Sequence, residues 1–123
     1  MTLCPCGSGK VIEACCGLYL KGTPAPTPEA LMRSRYTAYV QRDADYLKQT
    51  WHPSTRPADL ELEDDVKWLG LKVVKAQDGE KDETGTVHFI ARFKIGGRGH
   101  RMEEISRFVR EEGRWFYLDG EVS

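Results

Sequence analysis

At 123 residues the chain has room for one domain plus a small appendage, and enough length to bury a core without disulfide cross-links. Its 18 basic and 19 acidic residues are interspersed and leave a formal charge of −1, a balance that favours neither nucleic acid nor an anionic membrane surface as partner. The longest apolar runs are a few residues, too short for a membrane-spanning helix, so a soluble cytoplasmic protein is expected.

All four cysteines fall within thirteen positions near the start, in Cys4-Pro5-Cys6-Gly7-Ser8-Gly9-Lys10 and, after a short gap, Cys15-Cys16-Gly17. A Cys-x-Cys pair facing a Cys-Cys pair can supply four thiolates arranged tetrahedrally at ~2.3 Å, so one structural Zn2+ ion is expected. Disulfides within either pair close small, strained rings, which leaves bridges between the pairs as the alternative. Met1-Thr2-Leu3 leads straight into Cys4 with no secretory segment, which argues for a reducing compartment and for the metal. Gly7, Ser8 and Gly9 permit a tight reversal that aims amide hydrogens at the sulfurs. Lys10 offsets part of the net charge of about minus two that four thiolates leave around one zinc ion. Gly-Ser-Gly-Lys is not a phosphate loop, because it lacks the spacing between glycines, the hydroxyl residue after lysine and the preceding strand.

The order Cys-Pro-Cys-Gly-Ser-Gly-Lys followed by Cys-Cys-Gly resembles the SEC-C motif, a small zinc-binding module whose fourth ligand is usually histidine. Cys16 holds that place here. The resemblance implies a metal held by Cys4, Cys6, Cys15 and Cys16, and it implies no enzyme.

Gly22, Pro24, Pro26 and Pro28 break regular structure and read as a linker, dividing a zinc-binding motif over 1–22 from a domain over 23–123. Thr27-Pro28-Glu29 is a helix start: a capping hydroxyl, proline in the first turn and a carboxylate beside it. In the helix that follows, Leu31, Met32, Tyr36 and Tyr39 share one face with Arg35 in its middle, so Arg35 is expected to point inward. Asp43 caps a shorter helix through Ala44, Tyr46, Leu47 and Trp51, which His52-Pro53 ends. Residues 55–59 read as loop, 60–65 as a turn or short helix, and 66–74 as a strand with a bulge or close approach at Gly70. Residues 77–85 are turn-like. Val87, Phe89, Ala91, Phe93 and Ile95 then alternate with polar neighbours at a period of two. A turn over 96–99, a strand over 101–109, a tight turn at Glu111-Glu112-Gly113 and a strand over 115–118 complete the chain. Helices followed by a meander specify an α+β fold, with the helices packed on the concave face of a curved antiparallel sheet.

Ala30-Leu31-Met32-Arg33-Ser34-Arg35-Tyr36, Thr50-Trp51-His52-Pro53, Glu104-x-Ser106-x-Phe108 and Trp115-x-Tyr117-x-Asp119-Gly120, together with the cysteine motif, resemble the YchJ family. That resemblance implies a main domain similar to nuclear transport factor 2, a cone of helices and curved sheet enclosing a pocket. Longer members carry a second SEC-C motif. A fold and a metal come with the likeness, and no activity does.

Strand register decides which residues line such a pocket. A three-residue loop over 111–113 places Met102, Glu104, Ser106, Phe108, Phe116 and Leu118 inside, with Ile105, Val109, Trp115 and Tyr117 outside. A two-residue loop at Glu112-Gly113 exchanges the Phe116 set for the Trp115 set. The first register gives the more apolar inner face and is the one expected. Glu104 and Arg35 then share the concave side, which predicts an ion pair that either locks helix to sheet or meets a ligand. The pocket candidates are Arg35, Glu104, Ser106, Tyr36, Tyr39, Trp51 and His52. His52, at a helix end near the pocket mouth, either acts as acid or base or simply covers the helix end. His88 and His100 are expected in solvent, and no residue is assigned as catalytic.

Two functions follow. The favoured one is an adaptor whose zinc motif contacts a protein partner on a cone-shaped scaffold; the other is a pocket for a small apolar ligand, with Glu104, Tyr36 or His52 moving a proton. Trp115 and Tyr117, expected outside, predict a homodimer through the outer sheet face. Metal removal is expected to unfold only the first twenty residues, the metal site being closed by four protein ligands.

Overall fold

A computed structural model describes residues 3–58, 60, 66–78 and 83–122. A 3-10 turn at Ile12–Ala14 leads into the short helix α1 (Cys16–Leu20). Helix α2 (Pro28–Gln41) starts where the Thr27-Pro28 pair requires it, with the Thr27 side chain accepting from the Ala30 N–H at 3.0 Å. Arg42, in the left-handed conformation at φ 58°, stops the helix. Asp43 accepts from the Tyr46 N–H at 3.1 Å and so caps α3 (Ala44–Gln49). No helix among the described residues is long and apolar enough to cross a membrane.

Four strands follow: β1 (Val66–Asp78), β2 (Thr84–Ile95), β3 (Arg98–Glu111) and β4 (Arg114–Val122). They pair antiparallel in chain order, and the helices lie against one face, as the α+β reading requires. β1 carries irregularities between Trp68 and Gly70 and between Val73 and Lys75, which bend the strand as bulges do. The turn expected over 96–99 is tighter than that. Gly96 and Gly97 adopt φ 57° and 81°, so Arg98 already pairs with Ile95. The turn or short helix expected over 60–65 lies outside the described residues except for Leu60, as do residues 79–82 of the turn expected over 77–85.

Helix α2 is buried more fully than its pattern suggests. Leu31, Met32, Arg35 and Tyr36 are buried as expected, but so are Ser34, Thr37 and Ala38. The helix lies between two layers: the sheet on one side, and the cysteine motif and α3 on the other. Its polar residues are satisfied there, Ser34 by the Tyr46 hydroxyl at 2.6 Å and the Leu31 carbonyl at 2.8 Å.

The expected β3–β4 register is corrected. Phe108 pairs with Tyr117 and Arg110 with Trp115, so the loop is the two-residue one, with Glu112 at φ 54° and Gly113 at φ 79°. Trp115 and Tyr117 are therefore inward, not outward; Trp115 is 5% exposed and belongs to the core. Further along, Arg107 pairs with Asp119, which leaves Leu118 as the extra residue of a bulge. The register is pinned from outside the hairpin. Tyr117 donates its N–H to the Thr50 carbonyl and accepts from the His52 N–H, both at 2.7 Å, so the end of α3 runs as a short parallel segment beside β4.

This register takes Trp115 and Tyr117 off the outer face and puts Phe116 there, opposite Val109 and on the same face as the exposed Ile105. On the outer face of the sheet, Lys67 stands opposite Lys94 and Arg92 opposite Arg101.

Candidate metal centre and pocket

Cys4, Cys6 and Cys16 are buried and Cys15 is half-buried, and their four sulfurs all lie within 4.8 Å of one another. A tetrahedral thiolate site with ~2.3 Å bonds needs sulfur separations of about 3.8 Å. Cys6 and Cys15 stand 3.7 Å apart and Cys15 and Cys16 4.0 Å, so the donors fit one tetrahedral ion. No disulfide joins the four. The turn that shapes the site is the expected one: Gly7 and Gly9 take φ 82° and 83°, and Cys4 donates its N–H to the Lys10 carbonyl at 2.8 Å. Hydrogen bonding with Cys16 lowers the pKa of the Cys6 thiol, and the same contact together with burial raises that of Cys16. Around the donors, the Ser8 hydroxyl lies 3.1 Å from Cys15 Sγ and the Thr37 hydroxyl 3.6 Å from Cys4 Sγ. Arg33, in an ion pair with Glu29, donates to the Cys6 carbonyl at 2.9 Å. An ion held by all four sulfurs would have no open position, which is the arrangement of a structural site.

The second feature is a cavity of about 270 Å³ between α2 and the concave face of the sheet. Arg35, Tyr36, Tyr39, Trp51, Glu104 and Ser106, six of the seven expected residues, line it. His52 is not in the wall: its ring nitrogens are engaged by Ser54 and Glu111, and its ring packs edge-on to Phe116. Of the other histidines, His88 meets Glu103 on the outer face and His100 stacks on Phe93.

The expected ion pair is also corrected, for among the described residues Arg35 and Glu104 share a wall without a direct contact. Arg35, 3% exposed, sends one terminal nitrogen to the Leu47 carbonyl at 2.9 Å and the Thr50 hydroxyl at 2.7 Å. Its guanidinium lies 4.5 Å from the Tyr117 ring centre and 5.0 Å from that of Trp51. Burial lowers its pKa. Glu104 instead accepts from the Ser106 hydroxyl. Its carboxylate lies over Gly120, the partner of Ser106, where a Cβ would come within 2.6 Å of Glu104 Oε2 and push the carboxylate aside.

Sequence reasoning missed Trp68 and Tyr117 in this wall. Trp68 packs against both Tyr36 and Tyr39, with ring centres 5.6 and 5.7 Å away, and period-two alternation in β1 was the signal that placed it inside. For Tyr117 the signal was the Glu112-Gly113 turn. Burial pushes the Tyr36 and Tyr117 hydroxyls up to about 12, so both are neutral phenols at physiological pH.

Residues 27–120 match the family model described as YchJ, middle NTF2-like domain. A UPF0225 protein from Chromobacterium violaceum is 55% identical, with 98% of this chain and 93% of that protein aligned. One from Bordetella pertussis is 50% identical over 97% and 92%. Among solved structures, a SEC-C motif containing protein from Rhodopseudomonas palustris superposes with a TM-score of 0.86 at 39% identity, covering 96% of each chain. Another, from Psychrobacter arcticus, gives 0.78 at 28% identity, covering 98% of this chain and 82% of that one.

Proposed function

Because this chain belongs to the YchJ family, in which a domain of the nuclear transport factor 2 type forms the body, we propose that it is a zinc-stapled protein that binds a small molecule in its pocket. The observation that carries this reading is the cavity itself. Trp51, Tyr39 and Phe108 do not fill it; about 270 Å³ stays open with a guanidinium and a carboxylate on an otherwise largely apolar wall. Binding rather than catalysis is proposed because proton transfer calls for two titratable groups with different roles. Glu104 is one, but the tyrosines are held as phenols and His52 stands outside.

The test is amide and indole chemical-shift mapping of 15N-labelled, metal-loaded protein against a library of small aromatic fragments. Shifts are expected to cluster on Arg35, Tyr39, Glu104 and the Trp51 indole, and to vanish in Ala91→Leu, whose larger side chain enters the cavity. Shifts scattered over the outer surface, or unchanged in Ala91→Leu, would remove the pocket as a binding site.

An adaptor role through the metal motif is the second reading. It is supported by Leu3 and Leu18, which are 64% and 44% exposed near the cysteine cluster. A Leu3→Asp, Leu18→Asp variant should then lose a protein cross-link that Ala91→Leu retains; loss of the same cross-link in neither variant would end this reading.

A further inference from the structure

The geometry points to Cys15 as a site of oxidation by hydroperoxides, through which the chain forms a Cys6–Cys15 disulfide and gives up its metal. This rests on the metal-centre half of the reading above and is independent of the pocket beneath α2.

Of the four cysteines, one is open to solvent. Cys4, Cys6 and Cys16 are 5%, 0% and 0% exposed, whereas Cys15 is half-buried. Cys15 lies on a surface cleft of about 390 Å³ formed by the cysteine turn, α1 and the start of α2, with Ser8, Lys10 and Arg33 among its walls. Cys16 borders the same cleft but is fully buried, and neither Cys4 nor Cys6 lines it. A bound metal holds its cysteines as thiolates, the nucleophilic form of sulfur, so the exposed ligand is the one that a small electrophile reaches.

The polar groups of the cleft suit a peroxide. Ser8 Oγ lies 3.1 Å from Cys15 Sγ and accepts the Lys10 backbone N–H at 3.2 Å, which leaves the hydroxyl hydrogen free for the sulfur or for an oxygen held beside it. Arg33 is paired with Glu29, and Lys10 adds a positive charge to the wall. Such a charge favours the anionic oxygen that departs when an O–O bond breaks.

Cys15 Sγ attacks the terminal oxygen of ROOH; the O–O bond breaks, RO− leaves and takes up a proton as ROH, and Cys15 becomes the sulfenic acid. Cys6 Sγ, 3.7 Å away, then attacks the Cys15 sulfur, forming the S–S bond and expelling hydroxide, which gains a second proton and leaves as water. Each thiolate gives up one electron and the peroxide takes both. Cys6 is the resolving partner rather than Cys16, because a bridge between adjacent cysteines is strained, whereas Cys6 and Cys15 are joined by a turn that contains Gly7 and Gly9 at positive φ. Left with Cys4 and Cys16, the site has lost half of its donors. Thr37 and Arg33 tie that site to α2, so its loss reaches the body of the domain.

The test adds hydrogen peroxide to the metal-loaded full-length chain, reads released metal with a chromogenic chelator, and maps cysteine oxidation by differential alkylation and mass spectrometry. One ion is expected to leave for each Cys6–Cys15 disulfide formed, with Cys4 and Cys16 still reduced. The melting temperature should fall as it does on chelation, and dithiothreitol with fresh metal should restore it. With dimedone present from the start, the first adduct should appear on Cys15. Cys15→His keeps a donor but removes the exposed sulfur, so it should slow metal release about tenfold more than Cys16→His does. Should Cys15→His fail to load metal, the dimedone adduct on the wild-type chain decides instead. A first adduct on Cys4, Cys6 or Cys16, release without a disulfide, equal slowing by the two histidine variants, or no release in the time that free cysteine is oxidised overturns Cys15 as the oxidation site and leaves the metal centre intact. A chain that holds no metal before peroxide is added overturns both.

Discussion

Removing the metal with a chelator is expected to lower the melting temperature of the whole chain, by 10 °C or more, in a single transition. The sequence suggested a milder outcome, a knob of twenty residues that unfolds alone. Packing argues otherwise. Cys4, Cys6 and Cys16 sit in the same buried cluster as Leu31, Tyr36, Phe89, Phe108 and Trp115, so the donors form part of the core of the sheet domain. Thr37 on α2 meets Cys4 Sγ, and Arg33 on the same helix binds the Cys6 carbonyl. Metal-binding free energy in such modules is folding free energy, about 10–16 kcal/mol in isolated zinc-finger peptides at neutral pH. Losing even a quarter of that would remove much of the stability of a domain whose total lies at about 5–15 kcal/mol. Cys6→Ser, which deletes one donor, should reproduce the effect without chelator. Calorimetry, with metal content followed by native mass spectrometry, provides the check. If hydrogen exchange shows protection lost only over residues 3–20 while the main transition stays in place, the motif is an appendage after all.

The features legible in the sequence are those set by neighbours along the chain. Four cysteines within thirteen positions declare a metal site because the donors are local. Thr27-Pro28-Glu29 and Asp43 declare helix starts because a cap acts on the next turn. The inward direction of Arg35 followed from its place among Leu31, Met32 and Tyr36 at helical spacing. What escaped was set from a distance. Ser34 and Thr37 read as the polar back of an amphipathic helix, and nothing nearby indicates that Tyr46 and Cys4 cover them.

The β3–β4 hairpin is the clearest case of this limit. Apolar patterning favoured the three-residue loop, and the two-residue loop requires a non-glycine residue, Glu112, at positive φ. Two interactions invisible to local pattern tip the balance. Residues 50–52 pair with Tyr117 across more than sixty positions of chain, and Trp115 packs into the cluster that holds Ala25 and the cysteines. The bulge at Leu118 then restores the alternation, so Asp119 faces outward to Arg107 while Gly120 faces inward to Glu104. A one-residue choice in a turn thus moved Tyr117 from the outer face of the sheet into the cavity wall.

Arg35→Ala is expected to cost on the order of 3 kcal/mol, and Glu104→Gln less than about 0.5 kcal/mol, an asymmetry that an ion pair would not produce. Arg35 makes charge-assisted hydrogen bonds to Leu47 and Thr50 at the end of α3 and lies over two aromatic rings, so its truncation opens a gap beneath three elements at once. Each charged hydrogen bond is worth about 1.5–3 kcal/mol and each cation–ring contact about 0.5–2 kcal/mol, offset in part by relief from burying the charge. Glu104→Gln keeps an acceptor for the Ser106 hydroxyl and leaves no cation stranded. In melting temperature the first change should read as a fall on the order of 10 °C for a chain of this size, and the second as a fall of a degree or two. Arg35→Met separates the two contributions. It keeps the length of the side chain while removing the donors and the charge, and it should recover part of the loss. Equal destabilisation by Glu104→Gln and Arg35→Ala, with the double variant no worse than either alone, would mean that the two charges are coupled across the cavity and that the pocket is a closed electrostatic lock between α2 and β3.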